Sequence, residues 1–380
     1  MKPIKVLIVE DSAIMRDILT EIISADKSIE VLGTAPDVET ARRKIKDLNP
    51  DVITLDVDLP GMDGISFLEK IMRLRPTPVV MISGHTQENS DAAYRALEIG
   101  AVDVIGKSTI NVDPSLSDKS NEIIEKIKAA ARAKVGRRRE NEHVAGDSVV
   151  KLQNASNLNW GKVVCIGASA GGVEAMRQVV SRLPSQCPPI LYTQHMPKEF
   201  TAQFAQRLNE ISSLHVCEAE NQMKIEPGHI YLAPGDHHLS IAKRKTGFIC
   251  NVNKSATVSG HRPSVDVLFA SAARLLGGNG VGVLLTGMGR DGAQGLLAMA
   301  EAGAVTLGQD EATSLIYGMP RVAMEMGAVG RQVPLRHVPE AIIAACTRNK
   351  RQSPAPSNSY HSSADNSDGR RLSGQDDHNA

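Results

Sequence analysis

The stretch VVCIGASAGG, residues 163–172, is typical of a buried strand that runs into a tight turn with a serine at its apex. Ser169 stands in a G-x-S-x-G frame, which allows a sharp strand-to-helix turn that exposes the hydroxyl. The N–H groups that open the following helix would lie close to an anion formed there. The stretch therefore predicts an α/β fold and marks Ser169 as a candidate nucleophile, with a plain glycine-rich turn as the alternative.

Short aliphatic runs alternate with amphipathic stretches on both sides of this turn. In the first part of the chain we expect strands at residues 4–9, 29–34, 51–56, 78–83 and 101–106, and helices at 37–47, 64–74 and 121–132. In the second part we expect strands at residues 190–193, 230–233, 281–286 and 304–307, and helices at 174–182, 264–276 and 292–301. This alternation predicts two mostly parallel, doubly wound α/β sheets.

Composition divides the chain of 380 residues into segments. The apolar periodicity stops between residues 137 and 159, as in a flexible connector, and from about residue 347 hardly any apolar residue remains. We predict an α/β domain at residues 1–133, a linker at 134–159, a second α/β domain at 160–347 and a disordered polar tail at 348–380. The run Arg137, Arg138 and Arg139 indicates a solvated helix end, and a docking patch is the alternative interpretation. For the tail, the alternative to a disordered extension is a docking peptide.

Charge and composition exclude several classes of partner. Lys plus Arg number 43, as do Asp plus Glu, so no global charge field attracts nucleic acid or an anionic membrane. We find no signal peptide and no apolar run of about 20 residues, so we expect a cytoplasmic protein without direct membrane insertion. The 5 cysteines are widely spaced and form no C-x-x-C pair, which argues against a disulfide framework or a zinc site.

Acidic residues gather at one predicted edge of the first sheet. Glu10 and Asp11 follow the first strand directly, and Asp56 ends the third. Because crowded carboxylates repel unless a hard cation joins them, we expect a Mg²⁺ site. Ser83 and Lys107 come at the ends of the next two strands, and a carboxylate beside Mg²⁺ and a lysine is equipped to accept a phosphoryl group.

A serine needs a base to take its proton, and the base needs a carboxylate to orient it. His195 and Asp291 both follow strands of the second sheet, so they are expected at the same edge as Ser169. Taken singly, His195 would be a loop histidine and Asp291 a helix N-cap before Gly292. Other histidines stay open as bases by chemistry alone: His229, His237, His238 and His261.

The acidic cluster with Ser83 and Lys107 resembles the response-regulator receiver domain, a flavodoxin-like five-stranded parallel sheet, over about residues 3–133. The resemblance implies that Asp56 is the phosphoacceptor and that the Asp58 backbone carbonyl helps to hold Mg²⁺. It also implies that Ser83 and Lys107 bind and report the phosphoryl group. The chain departs from the family at Val104, where an aromatic is common, and at Ser108, where proline is usual.

Motifs of the second half resemble, in order and spacing, the catalytic domain of the chemotaxis protein-glutamate methylesterases/protein-glutamine glutaminases (CheB family). They are IGASAGG, TQHMP, APGDHH, HRPSVDVLF, TGMGRDG and YGMPR. The resemblance implies hydrolysis of glutamate γ-methyl esters on methyl-accepting chemoreceptors, with release of methanol, and deamidation of certain glutamines. Ser169 would be the nucleophile, His195 the base, Asp291 its orienting carboxylate and the Met288 N–H an oxyanion donor, with no cofactor for ester hydrolysis. Ala170 stands where many relatives carry threonine.

A receiver joined to a hydrolase predicts an enzyme of a two-component system, phosphorylated by a chemotaxis histidine kinase and activated when the receiver uncovers the cleft. Alternatives remain: a non-enzymatic response regulator whose second half binds a partner, a nucleotide-binding domain that uses the glycine-rich turn, and the same enzyme in another chemosensory pathway. The nucleotide alternative lacks the G-K-[ST] ending of a P-loop.

Overall fold

The computed structural model describes residues 2–84, 87–107, 110, 117–136 and 158–347. Ser108, the three consecutive arginines 137–139, most of the predicted linker and the predicted tail at 348–380 lie outside the described residues. Residues up to Thr347 form one compact unit. Within the described residues no helix combines the length and the apolar character needed to cross a membrane.

The first sheet has 5 parallel strands in the order β2-β1-β3-β4-β5. Its strands are β1 Ile4–Val9, β2 Ile29–Ala35, β3 Val52–Asp56, β4 Val79–Ser83 and β5 Asp103–Gly106. Its helices are α1 Ala13–Ser24, α2 Val38–Leu48, α3 Gly64–Leu74, α4 Gln87–Ile99 and α5 Ser117–Ala131. The helices begin where the sequence provides caps; for example, Asp63 accepts the Ser66 N–H at 2.9 Å before α3.

The second sheet has 7 strands in the order β14-β13-β12-β6-β7-β9-β8, and every pair in it is parallel. Its strands are β6 Val163–Ala168, β7 Ile190–Gln194, β8 His215–Glu218, β9 His229–Leu232, β12 Gly280–Leu284, β13 Val305–Gln309 and β14 Arg331–Val333. Its helices are α6 Gly172–Val180, α7 Lys198–Ile211, α8 Val265–Leu276, α9 Ala293–Glu301, α10 Met319–Glu325 and α11 Val338–Cys346. The predicted fold class, two parallel α/β sheets, is confirmed.

The strand order reverses at β6, which lies between β7 and β12. In an open parallel sheet the crevice at such a reversal, at the carboxyl ends of the strands, is where ligands bind. Ser169, His195 and Asp291 all follow one of these three strands.

An antiparallel hairpin stands apart from both sheets. Its strands, β10 His238–Arg244 and β11 Gly247–Asn253, pair with each other, and β10 packs against α8. On its other side β11 forms an isolated antiparallel bridge, between Ile249 and Lys224. This hairpin was not predicted from the sequence.

The two halves meet at a domain interface formed by α4 of the first half and α6 and α7 of the second. Tyr94 on α4 is buried, and its ring lies 6.0 Å from the ring of Phe204 on α7. Next to this aromatic contact, Asp91 accepts hydrogen bonds from Gln203 and, at 3.2 Å, from Arg207. The interface is therefore aromatic at its centre and charged at its side.

A second contact between the halves lies beside Ser169. Ala170 and Ile316 belong to the same buried apolar cluster as Ile123 of α5. Beyond the end of α5, the Lys134 N–H donates to the Leu315 carbonyl at 3.2 Å. The residue directly after the candidate nucleophile is thus buried in an apolar cluster that both halves of the chain share.

Candidate active site and phosphoacceptor site

The acidic edge predicted for the first sheet forms as expected. Glu10, Asp11 and Asp56 each offer a carboxylate oxygen within 4.8 Å of the others. They converge because β1 pairs with β3, so the carboxyl ends of the two strands are adjacent. Three oxygen ligands at this spacing suit a hard divalent cation.

Lys107, which follows β5, reaches this cluster. Its Nζ lies 2.8 Å from Asp56 Oδ2 and 3.1 Å from Glu10 Oε1. Burial and the charge of Asp56 raise the pKa of Glu10 to about 7, although Lys107 opposes the shift. Burial also raises the pKa of Asp56 against the hydrogen bond from Lys107. Burial is the first cause in both cases, so a cation bound beside these groups would favour their charged forms.

The donor set fits Mg²⁺. Glu10 Oε2 is buried and has no hydrogen-bond partner among the described residues, so one carboxylate oxygen is left for a cation.

The other predicted residues of the first half lie close to this cluster or in the neighbouring strand. Ser83 ends β4 and is fully buried at the same edge. The Asp58 N–H donates to Asp56 Oδ1 at 3.3 Å, which ties the Asp58 backbone to the candidate phosphoacceptor. Val104 is buried in β5.

At the second site, Ser169 lies in the tight turn between β6 and α6. Gly171 has a φ of 77°, in the left-handed region that favours glycine. A Cβ on Gly172 would lie 2.2 Å from Gln194 Oε1, so the turn has no room for a side chain there. The backbone N–H of Ser169 donates to the Thr286 carbonyl at 3.0 Å, which fixes the turn against the segment that follows β12.

His195 and Asp291 are in direct contact, with His195 Nε2 2.7 Å from Asp291 Oδ2. The carboxylate also accepts hydrogen bonds from Ser264 Oγ at 2.8 Å and from the backbone N–H groups of Val265 at 2.7 Å and Asp266 at 3.1 Å. Burial alone would raise the pKa of Asp291, but the hydrogen bond and charge of His195, with the other donors, hold that pKa well below its usual range. Asp291 is therefore a carboxylate at neutral pH.

The carboxylate of Asp291 does not cap α9, as the single-residue alternative expected. The N-cap of α9 is Gly292, without a side-chain hydrogen bond, and Asp291 instead accepts the first N–H groups of α8. A helix N-terminus stabilises an anion through these free N–H groups. The start of α8 therefore holds the Asp291 carboxylate in place.

Ser169 and His195 line one cavity of about 710 Å³ at the boundary between the two halves. Its wall on the other side includes Tyr94, Leu97 and Val104 of the first half. His195 Nδ1 is buried without a hydrogen-bond partner among the described residues, so Ser169 Oγ is not bonded to it in this structure. The structure thus places Ser169 and His195 in one cavity, with Asp291 buried behind His195, and joins only His195 and Asp291 by a hydrogen bond.

The other candidate histidines bond elsewhere. His229 Nδ1 lies 3.0 Å from the Pro227 carbonyl, and His237 Nδ1 lies 3.2 Å from the Gly235 carbonyl. His238 is fully buried, with Nε2 3.0 Å from the Ala256 carbonyl. His261 stacks on the ring of His195. Of the histidines considered, His195 is the one bonded to Asp291.

Two polar residues of this site, Ser264 and Asp266, were not predicted from the sequence. Ser264 reads as the N-cap of α8, but its hydroxyl donates to Asp291 instead. The carboxylate of Asp266 accepts the Gly295 N–H at 2.7 Å. Burial, with the charge of Asp291, raises the pKa of Asp266 to about 6. The HRPSVDVLF motif contains both residues, but spacing alone could not assign their partners.

The predicted oxyanion donor, Met288, follows a residue that touches Ser169. A Cβ on Gly287 would lie 2.8 Å from Ser169 Cβ and 3.0 Å from Ser169 N. A Cβ on Gly318 would lie 3.1 Å from Met288 Cα, so the backbone is close-packed on that side too. The Met288 backbone is thus held beside the candidate nucleophile.

Comparison with known proteins agrees with this architecture. The family model described as CheB methylesterase matches residues 164–342, and that of the response regulator receiver domain matches residues 6–113. The protein-glutamate methylesterase/protein-glutamine glutaminase of Nitrosomonas europaea is 48% identical over 346 residues, covering 90% of this chain and 97% of that protein. That of Dechloromonas aromatica, numbered 1, is 47% identical over 346 residues, covering 90% of this chain and 99% of that protein.

Among solved structures, the Thermotoga maritima CheB methylesterase catalytic domain aligns with a TM-score of 0.48 and 35% identity, covering 48% of this chain and 98% of that chain. The identity to full-length relatives over nearly their whole length decides the assignment. The chain belongs to the family of protein-glutamate methylesterases/protein-glutamine glutaminases, hydrolases in which a CheB methylesterase domain follows a response regulator receiver domain.

Proposed function

We propose that this chain hydrolyses glutamate γ-methyl esters on methyl-accepting chemoreceptors and deamidates specific receptor glutamines, with Ser169, His195 and Asp291 as its catalytic triad. The observation that carries the proposal is the 2.7 Å contact of Asp291 with His195, which lines the same cavity as Ser169. The names of the relatives support the substrate class. A cytoplasmic location stays a prediction.

The hydrogen bond to Asp291 assigns the tautomer of His195. Nε2–H donates to the carboxylate, so Nδ1 carries the lone pair that can accept a proton. Nδ1 has no hydrogen-bond partner among the described residues, so it is available to accept the proton of the serine. Catalysis requires Ser169 Oγ to turn within the shared cavity until it donates to Nδ1.

In the first half-reaction, Ser169 Oγ forms a bond to the γ-carbonyl carbon of the substrate while its proton passes to His195 Nδ1. Asp291 stabilises the imidazolium, and the Met288 N–H is the proposed donor to the oxyanion. The C–O bond to the methoxy group then breaks, and methanol leaves with the proton from His195. For a glutamine substrate the C–N bond breaks and ammonia leaves.

In the second half-reaction, water attacks the acyl-enzyme. His195 takes a proton from the water and returns it to Ser169 Oγ as the ester bond to the serine breaks. A free glutamate carboxyl group is the product in both cases. One site can therefore perform both activities, because they differ only in the leaving group.

We propose that phosphorylation of Asp56 by a chemotaxis histidine kinase controls this site. Glu10, Asp11 and Asp56, with the Asp58 carbonyl, would hold Mg²⁺, which supplies positive charge against the oxygens of the transferred phosphoryl group. Ser83 and Lys107 would bind the phosphoryl group. The receiver wall over the cavity, at Tyr94 and Leu97 among others, supports a covered resting state.

The test measures methanol release from methylated receptor membranes, with and without Mg²⁺ and a small-molecule phosphodonor. We expect the phosphodonor to stimulate the wild-type protein and not Asp56→Asn, and Ser169→Ala to abolish release in both conditions. If Ser169→Ala, folded as judged by circular dichroism, retains release, the triad is wrong. If the wild-type protein releases no methanol from any methylated receptor, a non-enzymatic response regulator replaces the proposal.

A further inference from the structure

The ring of His261 lies face to face with that of His195, with ring centroids 3.8 Å apart and an angle of 14° between the planes. The proposed mechanism gives His261 no role. Close, nearly parallel stacking places the His261 ring over one face of the candidate base. Such a contact restricts the orientation of the ring that it covers.

His195 needs such a restriction. Its hydrogen bond to Asp291 fixes Nε2, and the chain fixes Cβ, but the ring can still turn about the line that joins these two atoms. Nδ1 lies off that line, so its position changes with the tilt of the ring. A flat group against one face removes this freedom, and catalysis is sensitive to displacements of about 1 Å.

The loop that carries His261 is braced at several points. The His261 and Val258 backbones exchange hydrogen bonds at 2.9 and 3.1 Å. Next to His261, Arg262 donates to Asp236 Oδ1 from two guanidinium nitrogens, at 2.6 and 3.0 Å. Arg262 also donates to the Ser255 carbonyl at 2.9 Å. Backbone hydrogen bonds and the contacts of Arg262 therefore restrain the loop that carries the stacked ring.

His238 ties this loop to the triad carboxylate. It is fully buried, with Nε2 3.0 Å from the Ala256 carbonyl, and its Nδ1 accepts the Ser264 N–H at 3.2 Å. The Ser264 hydroxyl in turn donates to Asp291. The APGDHH and HRPSVDVLF motifs thus build one support for both partners of His195.

An uncharged His261 can stack on His195 without taking part in proton transfer. Burial, with the neighbouring His195, lowers the pKa of His261 to about 3, although Asp291 opposes the shift. A neutral ring does not repel the imidazolium that forms on His195 during the reaction. It also leaves His195 as the ring that takes up the proton.

We propose that His261 is a positioning residue, which sets the plane of the His195 ring by stacking and so aims Nδ1 at Ser169. The loop braced by Asp236 and His238 holds it there. The inference rests on the proposed triad, because it assigns His261 a role through His195. It does not place His261 in contact with the substrate.

The test compares kcat and KM of methanol release for His261→Ala, His261→Phe and His261→Gln. Stacking requires a flat ring but does not require a nitrogen in that ring. We therefore expect His261→Ala and His261→Gln to lower kcat about 10-fold while KM stays within about twofold of the wild type. His261→Phe should keep kcat within about threefold of the wild type. A kcat unchanged in Ala overturns the inference. Rescue by Gln but not Phe also overturns it, because a hydrogen bond would then be the function of His261.

A second variant, Asp236→Asn, weakens the brace and leaves both rings intact. We expect it to lower kcat by about threefold in the wild-type background and to have no further effect in His261→Ala, since the two changes act on one feature. Fully additive effects contradict the inference. If His261→Ala does not fold, by thermal unfolding, the Phe, Gln and Asp236→Asn variants decide. Ser169→Ala separates the two proposals: if it keeps activity, the triad itself fails, whatever His261 does.

Discussion

Replacing Asp291 by asparagine tests the centre of the proposed mechanism. Oδ1 accepts hydrogen bonds from Ser264 Oγ and the Asp266 N–H, and Oδ2 faces the Val265 N–H and His195 Nε2. An asparagine amide has one acceptor oxygen and an NH2 group that only donates. In either orientation of the amide, one pair of donors faces the NH2 group.

The loss in rate follows from these contacts. The imidazolium on His195 loses its negative partner, and one orientation of the amide also favours the wrong tautomer of the ring. The same change in a serine protease triad costs about 10⁴ in kcat. We expect kcat to fall by about 10³- to 10⁴-fold, which is about 4 to 5.5 kcal/mol of transition-state stabilisation. KM should change little, because Asp291 is only 1% exposed and cannot touch the substrate.

The assay is methanol release from methylated receptor membranes with the phosphodonor present, alongside thermal unfolding of each variant. The matched control is Ser264→Ala, which removes one donor to Oδ1 and leaves Oδ2 and His195 in place. We expect it to cost about 1 kcal/mol, or about fivefold in kcat. A folded Asp291→Asn variant whose kcat stays within about tenfold of the wild type would refute the orienting role.

Three further changes test the interface, the turn and the electrostatics. Tyr94→Ala removes the ring that packs against Phe204, so we expect release without phosphodonor to rise by up to about 30-fold, for about 2 kcal/mol of lost burial, while Tyr94→Phe keeps the low basal rate. Gly287→Ala places a Cβ 2.8 Å from Ser169 Cβ, and methanol release should be nearly lost in a protein that still unfolds cooperatively. Folded Asp266 binds its proton more tightly than the unfolded chain, so it costs the wild type stability as pH rises from 3.8 to about 6. In Asp266→Asn this cost is absent; the Tm difference, variant minus wild type, should therefore be more positive at about pH 7.5 than at about pH 4.5, and a constant difference would contradict the raised pKa.

Much of the fold could be predicted because parallel strands buried on both faces read as continuous aliphatic runs. The expected strand at residues 4–9 coincides with β1, and the helix at 64–74 with α3. The same reasoning located the acidic cluster, since the position of a residue at the end of a strand fixes the edge that it reaches. Glu10, Asp11 and Asp56 needed no partner outside the sheet to meet.

Partners that come from distant segments could not be predicted. Asp291 lies directly before Gly292, the N-cap of α9, so local rules assign it to that helix, yet its carboxylate accepts the first N–H groups of α8. The competing anion site is a helix that begins about 25 residues earlier in the chain, and only tertiary packing brings it near. The stacking of His261 on His195 is hidden for the same reason, because nothing in either motif specifies the plane of a ring.

The proposed route from phosphorylation of Asp56 to the cavity beside Ser169 depends on which elements of the chain touch both sites. Val104 is aliphatic, so the receiver lacks an aromatic ring there that could change its orientation. The aromatic contact across the domain interface comes from α4 instead, through Tyr94 and Phe204. Ser83, a proposed phosphoryl ligand, ends β4, the strand that leads into α4. α4 also lines the cavity, through Tyr94 and Leu97. We therefore expect a shift of Ser83 toward a phosphoryl group to act on the cavity through α4, which needs no aromatic at Val104.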